Sequence, residues 1–380
     1  MLQPGYELFT RYSHVLRLSL TLPRHDVGVM NRRLHQLGTQ LVEMLAPLTV
    51  TLATLVLALQ TSGCASQRSA PLLITPQTMA APAANPDNSL NVKLVTYNIW
   101  GLPSWMTGAR RGRYPQIARE LERLDPDIIL LQEAWTANAR KSAPTDGHWA
   151  IARAAGQHTF FQQSGLVTLS RFPIVGGEFY PFSRAAFPDR FVHKGVLKVS
   201  VQLPGGHVLN IWNVHLQDGG SLDLRQSQIR ELVSHLEAAQ DGQIADLVGG
   251  DFNCPRDCPL YRELAKEFGP DLQELTGAPP FITWDGMSTK PGLGETLDHI
   301  FIRPRTVLQE LKPQTHVAFA APTLEQRLSD HFGIEATVNL TPVPSLAGVA
   351  RSMLPSSLIN TAHSDQVASE PFTYAGGDWP

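Results

Sequence analysis

Residues 127–133 have the sequence DIILLQE, a nearly unbroken apolar run that ends in a glutamate. A strand without polar alternation is typical of a sheet that is covered on both faces. In the preceding segment, residues 113–124, Ile117 and Leu121 recur at helical spacing, and Pro126 ends the pattern. The sequence therefore predicts a helix followed by a buried strand with a carboxylate at its tip.

The same alternation of apolar runs and helical periods continues through residues 90–340. We expect a strand at 91–98 and a long helix at about 222–239. Further strands are predicted near 165–170, 196–203, 207–215, 244–250, 297–302 and 333–340. Two sheets packed face to face, with helices outside them, accommodate this order in a single domain.

Composition limits the class of protein. The 380 residues are 43% hydrophobic and 17% charged, which excludes an intrinsically disordered chain. A formal net charge of −3 argues against broad, non-specific nucleic-acid binding. Three cysteines are too few for a disulfide scaffold or a four-thiolate zinc site. The sequence leaves open whether Cys254 and Cys258 form a short-loop disulfide.

Residues 1–63 have the pattern of an export signal. The apolar run APLTVTLATLVLAL at 46–59 is shorter than the ~20 residues of a spanning helix, follows a basic segment and precedes small residues. Cys64 follows a Ser-Gly pair, and this arrangement resembles a bacterial lipoprotein signal that begins at Met1 or at Met30. The alternative is an uncleaved anchor helix with an incidental cysteine.

The chain accordingly divides into four parts. These are the signal region 1–63, a lipidated Cys64 with a flexible tether to residue 89, a catalytic domain at 90–340, and an irregular tail at 341–380. We expect an exported protein that Cys64 anchors to a membrane, on the periplasmic face or at the cell surface.

Polar residues recur where the predicted strands end, namely Asn98, Glu133, Asn213, His215, Asp251, Asn253, Asp298, Asp330 and His331. Any one of them is more often a turn former or a surface residue, but together they predict a single rim. Oxygen ligands without a thiolate cluster suit Mg²⁺ or Mn²⁺. Asp298 and His331 suit a base held by a carboxylate, and Asn253 and His215 suit hydrogen bonds to phosphate oxygens. The residues therefore predict metal-assisted hydrolysis of a phosphoester.

Seven motifs, in this order, resemble the endonuclease/exonuclease/phosphatase superfamily, which includes the DNase I-like enzymes. They are YNIWGLP (97–103), LLQEAW (130–135), NVHLQ (213–217), GGDFN (249–253), TW (283–284), LDHIF (297–301) and SDH (329–331). The resemblance implies an α/β fold, a four-layer α/β-sandwich with two central mixed β-sheets flanked by helices.

The resemblance also implies a metal site. Glu133 matches the principal Mg²⁺ ligand, Asn98 lies beside it, and Asp330 matches a residue at the edge of the site that assists metal or water.

The remaining matches imply catalytic roles. Asp251 matches the residue that orients or deprotonates the water, and Asn253 and His215 match the pair that binds phosphate. His331, oriented by Asp298, matches the catalytic histidine, and we predict that it takes the proton.

Within the superfamily the motifs most resemble neutral sphingomyelinases and related phospholipase C-type enzymes, which share the WGLP opening and a Lys-Gly pair before a strand. The resemblance implies a phospholipid substrate with Lys194 as a contact. Asn213 at a strand end is a further candidate substrate contact, and Trp105, in the loop after the first strand, is a candidate for contact with substrate or membrane. A DNase I-like nuclease and a non-catalytic binding lipoprotein are the alternatives. The sequence favours a lipid over nucleic acid because it has no basic cluster interleaved with aromatics, and it gives no sign of a protein partner.

Two other features have a structural and a functional interpretation. The basic run GARRGRYPQ at 108–116 is predicted to be a solvated loop and helix start. Aromatic residues at 100–106 and between Phe179 and Phe191 are candidates for lipid contact, although core packing is the expected role for most of them.

Overall fold

Two β-sheets lie face to face in the computed structural model. The structure describes residues 72–343 apart from 79, 84, 86–88, 104–111, 155–163, 240–241, 288–293 and 322. The strands are β1 (Leu72–Thr75), β2 (Asn91–Asn98), β3 (Ile128–Gln132), β4 (Ala150–Ala154), β5 (Val167–Ser170), β6 (Ile174–Pro181), β7 (Gly195–Gln202), β8 (Val208–His215), β9 (Ala245–Asp251), β10 (Asp298–Pro304), β11 (Gln314–Ala318) and β12 (Gly333–Asn339).

Four α-helices accompany the strands in the described part of the chain. They are α1 (Arg113–Leu124), α2 (Leu222–Ala238), α3 (Pro259–Phe268) and α4 (Leu272–Leu275). Short 3₁₀ turns lie at Ala139–Ser142, Asp189–Phe191, Pro204–Gly206 and Leu324–Gln326. None of these helices combines the length and apolar character needed to cross a membrane.

Both sheets are mixed. The seven-stranded sheet has the order β1-β4-β5-β3-β2-β12-β11, and only β2 and β3 run parallel. The five-stranded sheet has the order β10-β9-β8-β7-β6, with β8 and β9 parallel. The two parallel pairs lie inside their sheets and consist almost entirely of buried residues, as expected for strands covered on both faces.

Three separate hydrophobic clusters hold the layers together. The largest lies between the two sheets and contains side chains such as Leu130 and Ile211. A second cluster packs α1, through Ile117 and Leu121, on the outer face of the seven-stranded sheet. A third packs α2 and α3 on the outer face of the five-stranded sheet. This helix–sheet–sheet–helix arrangement confirms the predicted four-layer α/β-sandwich with two central mixed sheets.

The predicted strands and long helices occur within one or two residues of their expected ends. One expectation was wrong: Leu72–Thr75, which fell in the predicted tether, forms edge strand β1 and pairs antiparallel with β4. Strands β1, β4, β6 and β11 were not predicted from the sequence. They lie at or next to sheet edges, where half-exposed residues and glycines weaken the apolar pattern.

Asn213 connects the two sheets. Its side chain is fully buried, accepts a hydrogen bond from Gln132 Nε2 at 2.8 Å, and donates to the carbonyl oxygens of Leu131 and Val167 at 3.1 and 3.0 Å. This arrangement does not support the predicted substrate contact of Asn213, because the amide is already used within the core.

We predict that Asn213→Ala and Gln132→Ala each lower the free energy of unfolding by about 2–4 kcal/mol, because each leaves buried polar groups unpaired. Since the two amides are hydrogen-bonded, the double variant is expected to cost less than the sum of the single variants by at least about 1 kcal/mol. Urea unfolding followed by circular dichroism measures all four stabilities. Strict additivity would show that the pair does not couple the sheets.

Candidate active site

The polar strand ends of both sheets meet at one edge of the sandwich. In the seven-stranded sheet, parallel pairing places Asn98 opposite Gln132, and Glu133 follows directly. In the five-stranded sheet, parallel pairing places His215 opposite Asp251. Because parallel strands end on the same side of a sheet, each pair of neighbours presents its polar residues together.

Two antiparallel strands bring residues from the end of the chain to the same edge. Strand β10 starts with Asp298, which pairs with Asp251. Strand β12 pairs with β2, and His331 lies just before it, close to the end of β2. The antiparallel direction is what makes the starts of β10 and β12 coincide with the ends of β9 and β2.

The side chain of Asn98 joins the two sheets at this edge. Its Nδ2 donates to Glu133 Oε1 at 3.1 Å and to Asp251 Oδ2 at 2.9 Å. Its Oδ1 accepts from the Trp100 backbone amide at 3.0 Å, which fixes the orientation of the side-chain amide. One buried amide therefore holds two carboxylates that belong to different sheets.

His331 and Asp298 form a hydrogen-bonded pair. His331 Nδ1 lies 2.9 Å from Asp298 Oδ2, and His331 Nε2 lies 3.7 Å from Asp251 Oδ2. On the other side of Asp251, His215 Nε2 lies 3.5 Å from the same carboxylate oxygen. Asp251 is thus surrounded by Asn98 and two imidazoles, and all of these side chains are buried.

Loop geometry fixes Glu133 and Asn253. Both have positive φ, 60° and 46°, which an ordinary side chain adopts only when its surroundings impose it. The Asn253 amide N–H donates to Asp251 Oδ1 at 2.9 Å, and Asn253 Nδ2 donates to the Leu216 carbonyl at 3.0 Å. A Cβ on Gly101 would come within 1.8 Å of the Glu133 carbonyl oxygen, so only glycine allows this close approach.

Burial and neighbouring charges decide the ionisation of the carboxylates and histidines of the site. Burial raises the pKa of Glu133, and it raises the pKa values of Asp251 and Asp330 to about 6. Burial lowers the pKa of His331, but Asp298 and Asp251 outweigh this effect and raise it to about 10. Burial and the neighbouring Lys194 charge lower the pKa of His215 well below its usual value. At neutral pH, His331 is therefore charged and His215 neutral.

The donor set fits a divalent cation that prefers oxygen ligands. Ligand atoms of Asp251, Asp298 and His331 lie within 4.8 Å of one another. Asp298 and His331 are, however, hydrogen-bonded to each other, and a protonated imidazole does not ligate a cation. The half-buried carboxylate of Glu133, with the buried Asn98 side chain beside it, offers hard oxygen ligands instead.

Two buried polar atoms of the site have no hydrogen-bond partner among the described residues. They are His215 Nδ1 and Asp298 Oδ1. Buried polar atoms are nearly always paired, so exceptions at a cluster of catalytic residue types point to a bound molecule or ion.

Of the other residues named in the sequence analysis, Lys194, Cys254 and Cys258 are described by the structure. Lys194 lies beneath the site, where its Nζ forms an ion pair with Asp189 at 2.7 Å and donates to the Leu216 carbonyl at 3.2 Å, so its contacts are within the protein. Trp105 and Cys64 lie outside the described residues. Cys254 and Cys258 are both free thiols.

Several residues that position the site were not among the predicted site residues. The Ser329 hydroxyl donates to the Asn98 carbonyl at 2.7 Å, and Thr283 Oγ1 accepts from the Asp298 backbone amide at 3.1 Å. Ser329 and Thr283 belong to the SDH and TW motifs, and these contacts explain their place there. Membership of the two motifs is the feature of the sequence that could have identified both residues.

Arg113 corrects the interpretation of the basic run at 108–116. Its side chain is buried, and Nη1 donates to the carbonyls of Ile99 and Leu328 at 2.5 and 2.6 Å. It therefore joins the loop after β2 to the segment before β12. The sequence shows only a basic run, which is usually solvated, so nothing in it distinguishes this arginine.

The comparisons with known proteins agree with this fold. The family model described as Endonuclease/Exonuclease/phosphatase family matches residues 95–331. The chain belongs to this family, which confirms the resemblance seen in its motifs.

Two curated relatives are similar to the chain. "Inositol phosphosphingolipids phospholipase C" of Schizosaccharomyces pombe is 27% identical over 303 residues, which cover 67% of this chain and 70% of that protein. "Sphingomyelinase C" of Leptospira interrogans is 22% identical over 254 residues, 59% of this chain and 45% of that protein. The chain thus spans less than half of the second relative.

Among solved structures, SmcL is similar in fold. Its TM-score is 0.50 at 18% identity, with 65% of this chain and 99% of that chain covered. At this identity the likeness concerns the fold, and it agrees with the two-sheet sandwich described above.

We predict that Glu133→Gln and His331→Ala each lower the rate of phosphodiester hydrolysis at least 10²-fold, because one removes a ligand charge and the other a proton-transfer group. Glu133→Gln keeps the size of a half-buried side chain, so its melting temperature is expected to change by less than about 3 °C. His331→Ala leaves the buried Asp298 carboxylate without its partner, so its melting temperature is expected to fall by more than that. Steady-state kinetics and differential scanning calorimetry measure the two effects.

The matched controls are Glu310→Gln and His316→Ala, which change the same residue types at exposed positions away from the site. They are expected to keep the wild-type rate. A near-wild-type rate in either site variant would remove that residue from the mechanism.

Proposed function

We propose that the protein is a divalent-metal-dependent phosphodiester hydrolase of the sphingomyelinase and phospholipase C type, with Mg²⁺ as the metal and a phospholipid headgroup as the group released. The observation that carries this proposal is the meeting of Glu133, Asp251 and the His331–Asp298 pair around Asn98. The names of the two relatives support a sphingolipid as the substrate class.

Glu133 and Asn98 are the residues that would hold the metal, with Asp330 at the edge of the site. A bound Mg²⁺ neutralises charge on the phosphate oxygens and so lowers the barrier to attack. Mn²⁺ offers the same chemistry to this ligand set.

Proton transfer is divided between Asp251 and His331. His331 is held at Nδ1 by Asp298, carries a proton at neutral pH and faces Asp251 with Nε2. A charged imidazole donates a proton more readily than it accepts one, so His331 protonates the leaving group and Asp251 accepts the proton of the attacking water. This assignment differs from the sequence-based prediction, in which His331 takes the proton.

Asn253 and His215 flank Asp251 and complete the site. The neutral His215 faces Asp251 with Nε2, and its buried Nδ1 has no partner within the described protein. Asn253 is fixed by its bonds to Asp251 and Leu216. Fixed dipoles next to the attacked phosphorus stabilise developing charge without reorganisation, which is usually the largest catalytic effect.

A substrate panel tests this proposal. The full chain is assayed with Mg²⁺ on sphingomyelin, an inositol phosphosphingolipid, phosphatidylcholine and double-stranded DNA, with Glu133→Gln as the blank. We expect release of the water-soluble phosphorylated headgroup from at least one lipid, and its loss with EDTA. Acid-soluble nucleotides from DNA without lipid turnover would establish the nuclease alternative, and no turnover of any substrate would contradict the enzymatic proposal.

We also propose that the protein is exported and anchored to a membrane through a lipidated Cys64. The support is the sequence before it, with a basic segment, an apolar run and a Ser-Gly pair. Confinement to a membrane agrees with a lipid substrate, since acyl chains contribute ~0.8 kcal/mol per buried methylene.

Cys64→Ser is therefore expected to move the protein from the membrane fraction to the soluble fraction after cell breakage. Cys258→Ser, which changes a cysteine of the folded domain, is the control and is expected to stay in the membrane fraction. Immunoblots of the two fractions measure the distribution. Retention of Cys64→Ser in the membrane fraction would show that another segment anchors the protein.

A further inference from the structure

An exposed group of apolar side chains lies beside the candidate site. Phe187, Phe191 and Leu222, which we call the aromatic patch, are 71%, 43% and 45% exposed. The two phenylalanine rings meet edge to face at 6.0 Å on and beside the 3₁₀ turn Asp189–Phe191. A phenylalanine side chain is usually buried, so two exposed rings on one short turn form a surface that requires an explanation.

Leu222 belongs to the same surface because two loops pack together. Gln217 Oε1 accepts from the Ala186 backbone amide at 2.9 Å. A Cβ on Gly220, two residues before Leu222, would lie 3.7 Å from the Ala186 side chain. The start of α2 and the segment before the 3₁₀ turn therefore lie next to each other and together carry the aromatic patch.

Hydrogen bonds and an ion pair connect the segments that carry the aromatic patch to the site. Beneath the patch, the Asp189 carboxylate accepts from the Asp218 amide at 2.8 Å and pairs with Lys194 at 2.7 Å. Lys194 then donates to the Leu216 carbonyl, which also accepts from Asn253. Three successive contacts thus link Asp189, in the turn that carries Phe191, to Asn253 of the site, so the aromatic patch lies close to the site.

The chemistry of the patch fits the interfacial region of a bilayer. Arg184 and Arg190 are exposed in the same segment, and the Arg190 guanidinium lies 5.5 Å from the Phe191 ring. Apolar rings with basic side chains around them match an interface at which the rings enter the acyl boundary and the guanidinium groups meet lipid phosphates. A protein partner would need about 800 Å² on this side, more than three side chains at a turn provide.

We infer that the aromatic patch inserts into the surface of a phospholipid bilayer and holds the candidate site against the lipid headgroups. This inference rests on the lipid substrate proposed above. It assigns to Phe187 and Phe191 a role in binding the membrane and none in the chemical step.

Exposed apolar residues at the other end of the sandwich provide a matched control. Val175 and Val307 are 55% and 74% exposed. Val175 lies where β6 pairs with the end of β7, and Val307 follows the end of β10, whose start carries Asp298. Both therefore lie at the strand ends opposite the site.

The test compares the double variant Phe187→Ser/Phe191→Ser with Val175→Ser/Val307→Ser. All proteins are full-length and carry Cys64→Ser, so that no acyl chain contributes. Binding to vesicles of phosphatidylcholine and phosphatidylserine (4:1) is measured by co-sedimentation with EDTA present. We expect about a tenfold loss of binding for the phenylalanine pair and less than a twofold change for the valine pair.

Hydrolysis supplies the second measurement. The phenylalanine pair is expected to reduce hydrolysis of vesicle lipid about tenfold while leaving hydrolysis of soluble bis(p-nitrophenyl) phosphate unchanged. Phe187→Leu/Phe191→Leu, which keeps the apolar character, is expected to restore both binding and vesicle hydrolysis.

Equal vesicle binding and an equal ratio of vesicle to soluble activity in the phenylalanine and valine pairs would overturn the inference. Loss of binding in a protein that hydrolyses no lipid would support the aromatic patch and contradict the proposed substrate. Lipid hydrolysis that the phenylalanine pair does not change would support the proposed substrate and contradict the role of the aromatic patch.

Discussion

The hydrogen bonds of one amide, Asn98, are the constraint on which the site depends. Asn98 ends a strand of one sheet, and its Nδ2 reaches Glu133 beside it and Asp251 across the sandwich. Two neighbouring carboxylates repel each other, and the Asn98 amide offsets part of that repulsion together with the Lys194 and His331 charges. Asn98 can contact both carboxylates only because β2 of one sheet and β9 of the other end at the same edge of the sandwich.

The electrostatics of the site follow from this arrangement. Burial raises the pKa values of Glu133 and Asp251, so the fold disfavours their ionised forms, which are the forms that a bound cation would stabilise. The Asp298 carboxylate balances His331 and holds its ring by one nitrogen. Strain at Glu133 and Asn253, both with positive φ, is the local cost of presenting side chains from turns at strand ends.

Much of the fold and the identity of the site residues were predictable from the sequence. Near-continuous apolar runs predicted the central strands, and the polar residues that follow them predicted the rim. Edge strands such as β1 and β6 were missed because they are half-exposed. Residues that support the site, such as Arg113 and Ser329, were missed because a basic run and a serine have many ordinary explanations.

The sequence by itself determined the class of fold, the family and the kinds of chemical group at the strand ends, because hydrophobic periodicity and motif order are local properties of the chain. Only the tertiary structure decided which polar groups remain available. Asn213 uses its amide on partners 46 and 81 residues away in the chain, and Lys194 is paired with Asp189. It also decided that Phe179 is buried while Phe187 and Phe191 are exposed. Such differences depend on which distant segments pack against each residue, and no local pattern records that.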